Sequence, residues 1–211
     1  AFALFAAAPS VALCTTLSVA AGAWLRDYSS VYGGFVWRHM FGMELLGLLI
    51  VTPSLLLLAR AHRFQGEGTA RSVEAVGLLL LLAVTTAWVF TQPAAVTYLV
   101  LPPMLLVAFR LSPPWTAVAL ILTTAISGVF TLTGHGPVML TPIPDVAELA
   151  AVPLRMRQMG AYYVFLLVLV VTALPVSTLM SERRQLVMRL RARTASALEA
   201  RARAEQSDAA K

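Results

Sequence analysis

Three long stretches of this chain contain no charged side chain: Ala1–Trp24, Trp115–Leu132 and Met159–Met180. About 20 apolar residues in a helix cross the hydrocarbon core of a bilayer, and a helix pairs its own backbone polar groups there. Three further apolar runs hold at most one acidic residue each: Phe41–Ala59, Val73–Phe90 and Pro93–Phe109. The sequence therefore predicts an all-α polytopic bundle with six transmembrane helices.

The composition excludes other classes of protein. Hydrophobic residues make up 59% of the chain and charged residues 12%, whereas a soluble domain is about 45–50% apolar and about 25% charged. A soluble domain and a disordered chain are thus both excluded. The single cysteine, Cys14, rules out a disulfide framework, and the three histidines lack metal-ligand spacing. We expect no metal, no cofactor and, since no nucleophile or phosphate-binding motif occurs, no catalysis.

Charge concentrates at the C-terminal end. Nearly half of the charged side chains lie within positions 181–211. Good helix formers dominate Ser181–Gln206, which contains neither Gly nor Pro. The pattern predicts a transmembrane bundle over 1–180, a cytoplasmic connector helix over 181–206 and a linker over 207–211. Val187 and Leu190 lie on a weak heptad stripe and are the candidates for relaying a signal to a partner helix.

Arginine placement predicts the orientation. Alternating spans put twelve basic residues on the side of the C-terminus and four on the other side. Basic residues in short loops favour the cytoplasm. We therefore expect both termini, the loop 60–71 and Arg110 to be cytoplasmic and the loop 133–158 to be external. The positive charge is accounted for by the membrane flanks, so no nucleic-acid partner is expected.

Polar residues within the apolar runs are the candidates for a site, because such groups are costly in lipid and often functional. Glu44 lies about one turn inside its predicted span, which predicts a ligand or proton site near the outer face, or a structural pair with Arg38. His39 precedes it by five positions. His135 lies in the turn Gly134–Pro137, which either stops a helix or presents a pH-responsive group. Glu44, His39, Arg38 and His135 are thus the candidates for binding a ligand or signal.

Several of these residues also carry a resemblance. The chain resembles the membrane-associated sensor domain of the first type, an integral-membrane input module of bacterial signalling proteins. The blocks that carry it are Glu44–Gly47 with Pro53, Pro102 with Arg110, Thr131–Pro137, and Gln158 with Ser181–Arg184. Two positions depart from the family pattern: Glu44 replaces the usual aspartate, and Thr133 replaces a common basic residue.

The resemblance implies a role for the chain. Such domains precede domains that make or degrade cyclic-di-GMP, PAS domains or histidine kinases, none of which is in this sequence. It implies a multi-pass protein of the bacterial inner membrane that forms a homodimer through the connector helix and responds to a small-molecule or membrane-derived signal. Such domains have about eight spans, so two N-terminal spans are expected to be absent here, in agreement with the first residue, Ala1.

Two other classes of protein fit the apolar composition. An accessory subunit of a larger membrane complex would use its polar span residues to pair with neighbouring subunits. A transporter fragment would line a path with its proline-containing helices, and inverted repeats would be expected. The long charged helix after Met180 favours the sensory module, because it is oversized for a membrane anchor.

Overall fold

Six α-helices and two short 3₁₀ helices form the described part of the chain. A computed structural model describes residues 2–26, 30–59, 69–94, 96–140, 150, 152 and 154–209. The α-helices are α1 (Phe2–Arg26), α2 (Ser30–Ala59), α3 (Thr69–Thr91), α4 (Leu101–Arg110), α5 (Pro113–Leu132) and α6 (Leu154–Ala209), and the 3₁₀ helices are Thr97–Val100 and Pro137–Leu140. The predicted all-α class is confirmed. The predicted cytoplasmic residues Arg60 and Arg63 lie outside the described residues.

Five helices are long and apolar enough to cross a membrane, so the chain is a multi-pass membrane protein. The predicted fourth span is shorter than expected, because the apolar segment Thr97–Arg110 consists only of a short 3₁₀ helix and α4. It rises about 23 Å, against about 30 Å of hydrocarbon. Pro102 and Pro103 lie at the start of α4, where a missing backbone N–H costs little, and so they begin the helix rather than kink it.

Helix α2 begins at Ser30, about three helical turns before the predicted start at Phe41. The stretch before Phe41 contains charge and glycine and lies outside the predicted span, yet it is helical. Ring pairs four positions apart support it: Trp37 stacks on Phe41 at 4.9 Å between ring centroids, and Phe35 on His39 at 6.0 Å. Glu44 therefore lies midway along α2, and the prediction that it sits one turn inside the outer end was wrong.

Polar side chains connect the helices at both ends of the bundle. We call these the Arg184 end and the Gln158 end, after one residue at each. At the Arg184 end, Arg110 Nε at the end of α4 binds Glu74 Oε1 at the start of α3 at 2.8 Å. At the Gln158 end, Gln158 Nε2 donates to the carbonyl of Met139 at 2.6 Å. The ion pair shows that α4 returns alongside α3 to the end from which α3 started.

The core lies between α2, α3, α4, α5 and α6, with α1 at the periphery. Phe90, Leu82 and Met104 are among the largest fully buried side chains. By contrast, α1 packs mainly against α2 and exposes Leu13, Leu17 and Trp24 by 66, 70 and 87%. Apolar side chains on the outer face of a membrane helix are solvated by lipid rather than by water.

Helix α6 is continuous over 56 residues and includes both the last span and the predicted connector. Pro175 lies inside it without ending it. The helix ends at Ala209, slightly beyond the predicted end at Gln206, and Ala210 and Lys211 lie outside the described residues. The part beyond Arg184 leaves the bundle, because the described side chains from 185 to 196 are all exposed.

Candidate functional site

Glu44 lies between α1 and α2 rather than in the core of the bundle. Its carboxylate is partly buried, and Thr15 Oγ1 donates to Glu44 Oε2 over 3.4 Å. Together with Cys14 and Gly47 it lines an open groove of about 610 Å³ between the two helices. Arg38 is exposed, and no ion pair joins it to Glu44 in the described part of the chain. The alternative of a structural Arg38 pair is therefore wrong.

His39 points to a different helix from Glu44. Its two ring nitrogens lie 3.3 and 3.4 Å from the hydroxyl of Tyr163 on α6, and the two ring centroids are 5.4 Å apart. One turn further along α2, a Cβ added to Gly42 would lie 2.9 Å from Tyr163 Cδ2, so glycine lets α6 approach. Residues five positions apart on a helix differ by about 140° in direction. The structure thus does not bring His39 and Glu44 into one site.

His135 belongs to the turn that ends α5. Its backbone N–H donates to the carbonyl of Phe130 at 2.9 Å, and the N–H of Gly134 donates to Thr131 at 3.1 Å. With Gly134 at a φ of 83°, this is a Schellman motif, the usual glycine-dependent helix stop. The imidazole is exposed at the Gln158 end, and its Nδ1 lies 3.2 Å from Thr133 Oγ1. The geometry accounts for the turn without a ligand.

Hydroxyl side chains form a polar contact between α5 and α6 that was not predicted from the sequence. The hydroxyl of Tyr162 donates to the carbonyl of Thr124 at 3.1 Å and lies 3.2 Å from Ser127 Oγ. The face of α5 that carries Ser127 also holds buried Thr123 and Thr131. Their four-residue spacing within an apolar run was the available signal, because repeated hydroxyl residues on one face favour a helix–helix contact.

Gln158 is buried near the start of α6, where it is only 6% exposed. Its bond to Met139 ties the 3₁₀ helix Pro137–Leu140 to α6. Close by, a Cβ at Gly136 would lie 2.8 Å from Phe90 Cδ1. The Gln158 end is therefore closed by direct contacts among α3, the 3₁₀ helix and α6.

Arg184 joins α6 to α4 at the opposite end. Its Nη2 donates to the carbonyls of Phe109 and Arg110 at 2.5 and 3.1 Å. The last carbonyls of a helix lack intrahelical partners and carry the negative end of the helix dipole. An arginine there supplies both the missing hydrogen-bond donors and a positive charge. Since Arg110 also binds Glu74, the contacts link α3, α4 and α6 where α6 leaves the bundle.

Val187 and Leu190 follow this joint on α6. They are 40 and 63% exposed and lie on adjacent positions of one helix face, one turn apart. In a single chain nothing in the described bundle covers them. Their position beyond the membrane surface stays a prediction from the sequence.

The profile of the MASE1 family matches residues 1–184. The chain belongs to the MASE1 family. MASE1 is an integral-membrane sensory domain without catalytic activity, and the resemblance seen in the sequence is confirmed. No curated protein and no solved structure matches the chain.

The MASE1 match ends at the joint described above. Its last residue, Arg184, is the side chain that caps α4. Val187 and Leu190 therefore lie outside the matched region but on the same helix. The exposed part of α6 thus continues the last helix of the MASE1 bundle, and the hydrogen bonds of Arg184 lie at the boundary between the two.

Proposed function

We propose that this MASE1 chain is the sensory input module of a bacterial inner-membrane signalling protein, and that α6 carries its output. One observation carries the proposal: α6 runs unbroken from Leu154 to Ala209. The same helix packs in the core through Leu169 and Ala173 and projects beyond Arg184 as far as its last residue. A displacement of α6 in the bundle is therefore also a displacement of its exposed end.

Signal reception is proposed on α2 and at the Gln158 end. Glu44 faces the α1–α2 groove, and His39 touches Tyr163 of α6. Arg38 and His135 are exposed and can meet a ligand from outside the bundle. A ligand shifts an equilibrium only by its difference in affinity for two conformations. The contact between His39 and Tyr163 supports transmission from α2 to α6.

Signal exit is proposed at the Arg184 end, which we place in the cytoplasm. The cluster of Arg183 and Arg184 favours that side. The pairing of Arg110 with Glu74 supports α4 as a sixth, short crossing. Two copies of the chain would then pair through Val187 and Leu190. The output would be a cyclic-di-GMP enzyme or a histidine kinase attached after α6.

The test is a signalling assay on the full-length protein carrying Leu190→Glu. A buried glutamate would disrupt pairing of two α6 helices, so we expect regulated output to be lost while membrane insertion is retained. Met188→Glu is the matched control, because Met188 is 66% exposed and lies about 200° from Leu190 on the helix. Normal regulated output from Leu190→Glu would mean that α6 is a passive tether.

A further inference from the structure

The carboxylate of Glu44 lies about midway along α1 and α2 and is poorly satisfied. Glu44 is close to the midpoint of α2, which runs from Ser30 to Ala59, and Thr15 is close to the midpoint of α1. The one hydrogen bond that the carboxylate receives from Thr15 is 3.4 Å long, beyond the usual range of about 2.5–3.0 Å for hydroxyl donors. The carboxylate therefore has capacity for a stronger partner.

The groove around Glu44 opens outward. Cys14, Leu48 and Val51 line it and are exposed, the last two by 42 and 50%. A Cβ at Gly47 would meet nothing within 4 Å, so the groove is open beside the carboxylate. At this depth the surroundings are acyl chains. An occupant would therefore enter from the bilayer and would need an apolar body.

Charge decides the chemistry of the occupant. No basic side chain of the described chain pairs with Glu44, and an isolated charge in hydrocarbon is costly. A fatty acid would add a second acid, and an alcohol would add a neutral hydrogen bond. The ammonium group of a lipophilic amine would donate a hydrogen bond to the carboxylate, and the ammonium–carboxylate pair has no net charge. Such charge-assisted hydrogen bonds are stronger than neutral ones.

We propose that the α1–α2 groove binds a lipophilic amine, whose nitrogen contacts Glu44 and whose apolar body lies along Val11, Leu48 and Val51. The amine displaces or supplements the long bond from Thr15. Trp37 Nε1, which donates to Thr16 Oγ1 at 3.1 Å, holds α1 on α2 beside the site. The role of the amine as a signal rests on the proposed sensory function. The binding of the amine to the groove does not depend on that function.

The experiment is photolabelling of the whole chain in nanodiscs with an alkylamine that carries a diazirine. The alcohol and the trimethylammonium compound with the same chain are the matched probes, because the alcohol carries no charge and the trimethylammonium group has no N–H to donate to Glu44. Labelled segments are identified by peptide mass spectrometry. We expect the amine to label the two segments that line the groove, around Cys14 and around Val51.

Two substitutions sharpen the test. Glu44→Gln keeps the shape of the side chain, and we expect groove labelling to fall about tenfold, the consequence of losing one charge-assisted hydrogen bond. Gly47→Leu fills the groove and should lower labelling with Glu44 intact. Gly77→Leu is its control on α3, since a Cβ there also meets nothing within 4 Å, and should leave labelling unchanged.

The outcomes separate binding from signalling. Equal labelling by the alcohol or by the trimethylammonium probe, or unchanged labelling of both Glu44→Gln and Gly47→Leu, would overturn the amine site. Labelling as expected, without any effect of the amine on regulated output of the full-length protein, would keep the site and refute its sensory role. Loss of regulation in Leu190→Glu does not depend on the amine.

Discussion

At the scale of single residues, the turn after α5 shows which features a sequence discloses. Gly134 and Pro137 predicted a helix stop because glycine adopts positive φ and proline cannot continue a helix, and the structure has one there. The partner of Gly136 was not predictable, because Phe90 lies on another helix, far earlier in the chain. Glu44 was likewise predicted as a site residue from its charge. Its contact with Thr15 was not predictable, because it depends on how α1 and α2 are rotated about their axes.

Replacing Gly136 tests the packing of this turn. Gly136 has a φ of 104°, and a Cβ would lie 2.8 Å from Phe90 Cδ1 and 3.3 Å from its carbonyl oxygen. We expect Gly136→Ala to lower the free energy of unfolding by about 2 kcal/mol, through backbone strain and a clash in a closed site. The measurement is thermal or denaturant unfolding in detergent micelles.

The matched control for that substitution has the opposite expected sign. Gly77 is within α3 and has open space around it. Gly77→Ala should stabilise the protein by about 0.5–1 kcal/mol, because alanine is the better helix former. Equal effects of the two substitutions would show that the turn does not need glycine.

At the scale of helices, the apolar runs located each of the six α-helices, but other interactions decide where these helices begin and end. The start of α2 was missed because Arg38 and His39 interrupt the apolar run, whereas stacked rings and the contact of His39 with Tyr163 support helix there. The length of α4 follows from the prolines at its start and from the extended residue Leu111 after its end. The capping of α4 by a residue of α6 is a tertiary contact that local sequence does not encode.

Removing the cap should loosen α6 from α4. Arg184→Gln keeps a polar side chain but loses the guanidinium that spans two carbonyls. We expect the free energy of unfolding to fall by about 1 kcal/mol, since the site is exposed and charge effects are screened there. Spin labels at Leu106 and Met188, in a Cys14→Ser background, should show a longer and broader distance distribution by pulsed electron paramagnetic resonance. The same labels in the Arg183→Gln variant should report the unaltered distance. A change of equal size in that variant would show that the loss of one positive charge, rather than of the cap, moves α6.

At the scale of the whole molecule, the alternation of spans predicted which helix ends lie together, and the contacts agree with it. The side of the membrane that each end faces, which the arginine bias predicts, stays a prediction. Glu74, Arg110 and Arg184 meet at one end, and Phe90 and Gly136 meet at the other. Hydropathy could place these ends because most of the helices are at least as long as the hydrocarbon core is thick. It could not place α1 outside the core, because an apolar helix has the same composition whether lipid or protein surrounds it.

Cysteine labelling in a Cys14→Ser background tests the proposed orientation. Single cysteines at Ser72 and Glu182 mark the Arg184 end, and those at Thr91 and Thr133 mark the Gln158 end; all four positions are exposed. An impermeant maleimide added to intact cells should modify only the second pair, because arginine-rich ends stay in the cytoplasm. Modification of Ser72 and Thr91 from the same side would show that α3 does not cross the membrane.

The proline within α6 gives the helix a mechanical property. Pro175 cannot donate a hydrogen bond to the carbonyl one turn earlier, so the helix bends most easily there. From Pro175 the helix continues to Ala209, a length of about 50 Å at a rise of about 1.5 Å per residue. A bend of about 5° at this pivot moves the far end by about 4 Å, with much smaller shifts beside the pivot. A sub-ångström repacking of α6 beside Pro175 would therefore displace its far end by about the width of a side chain.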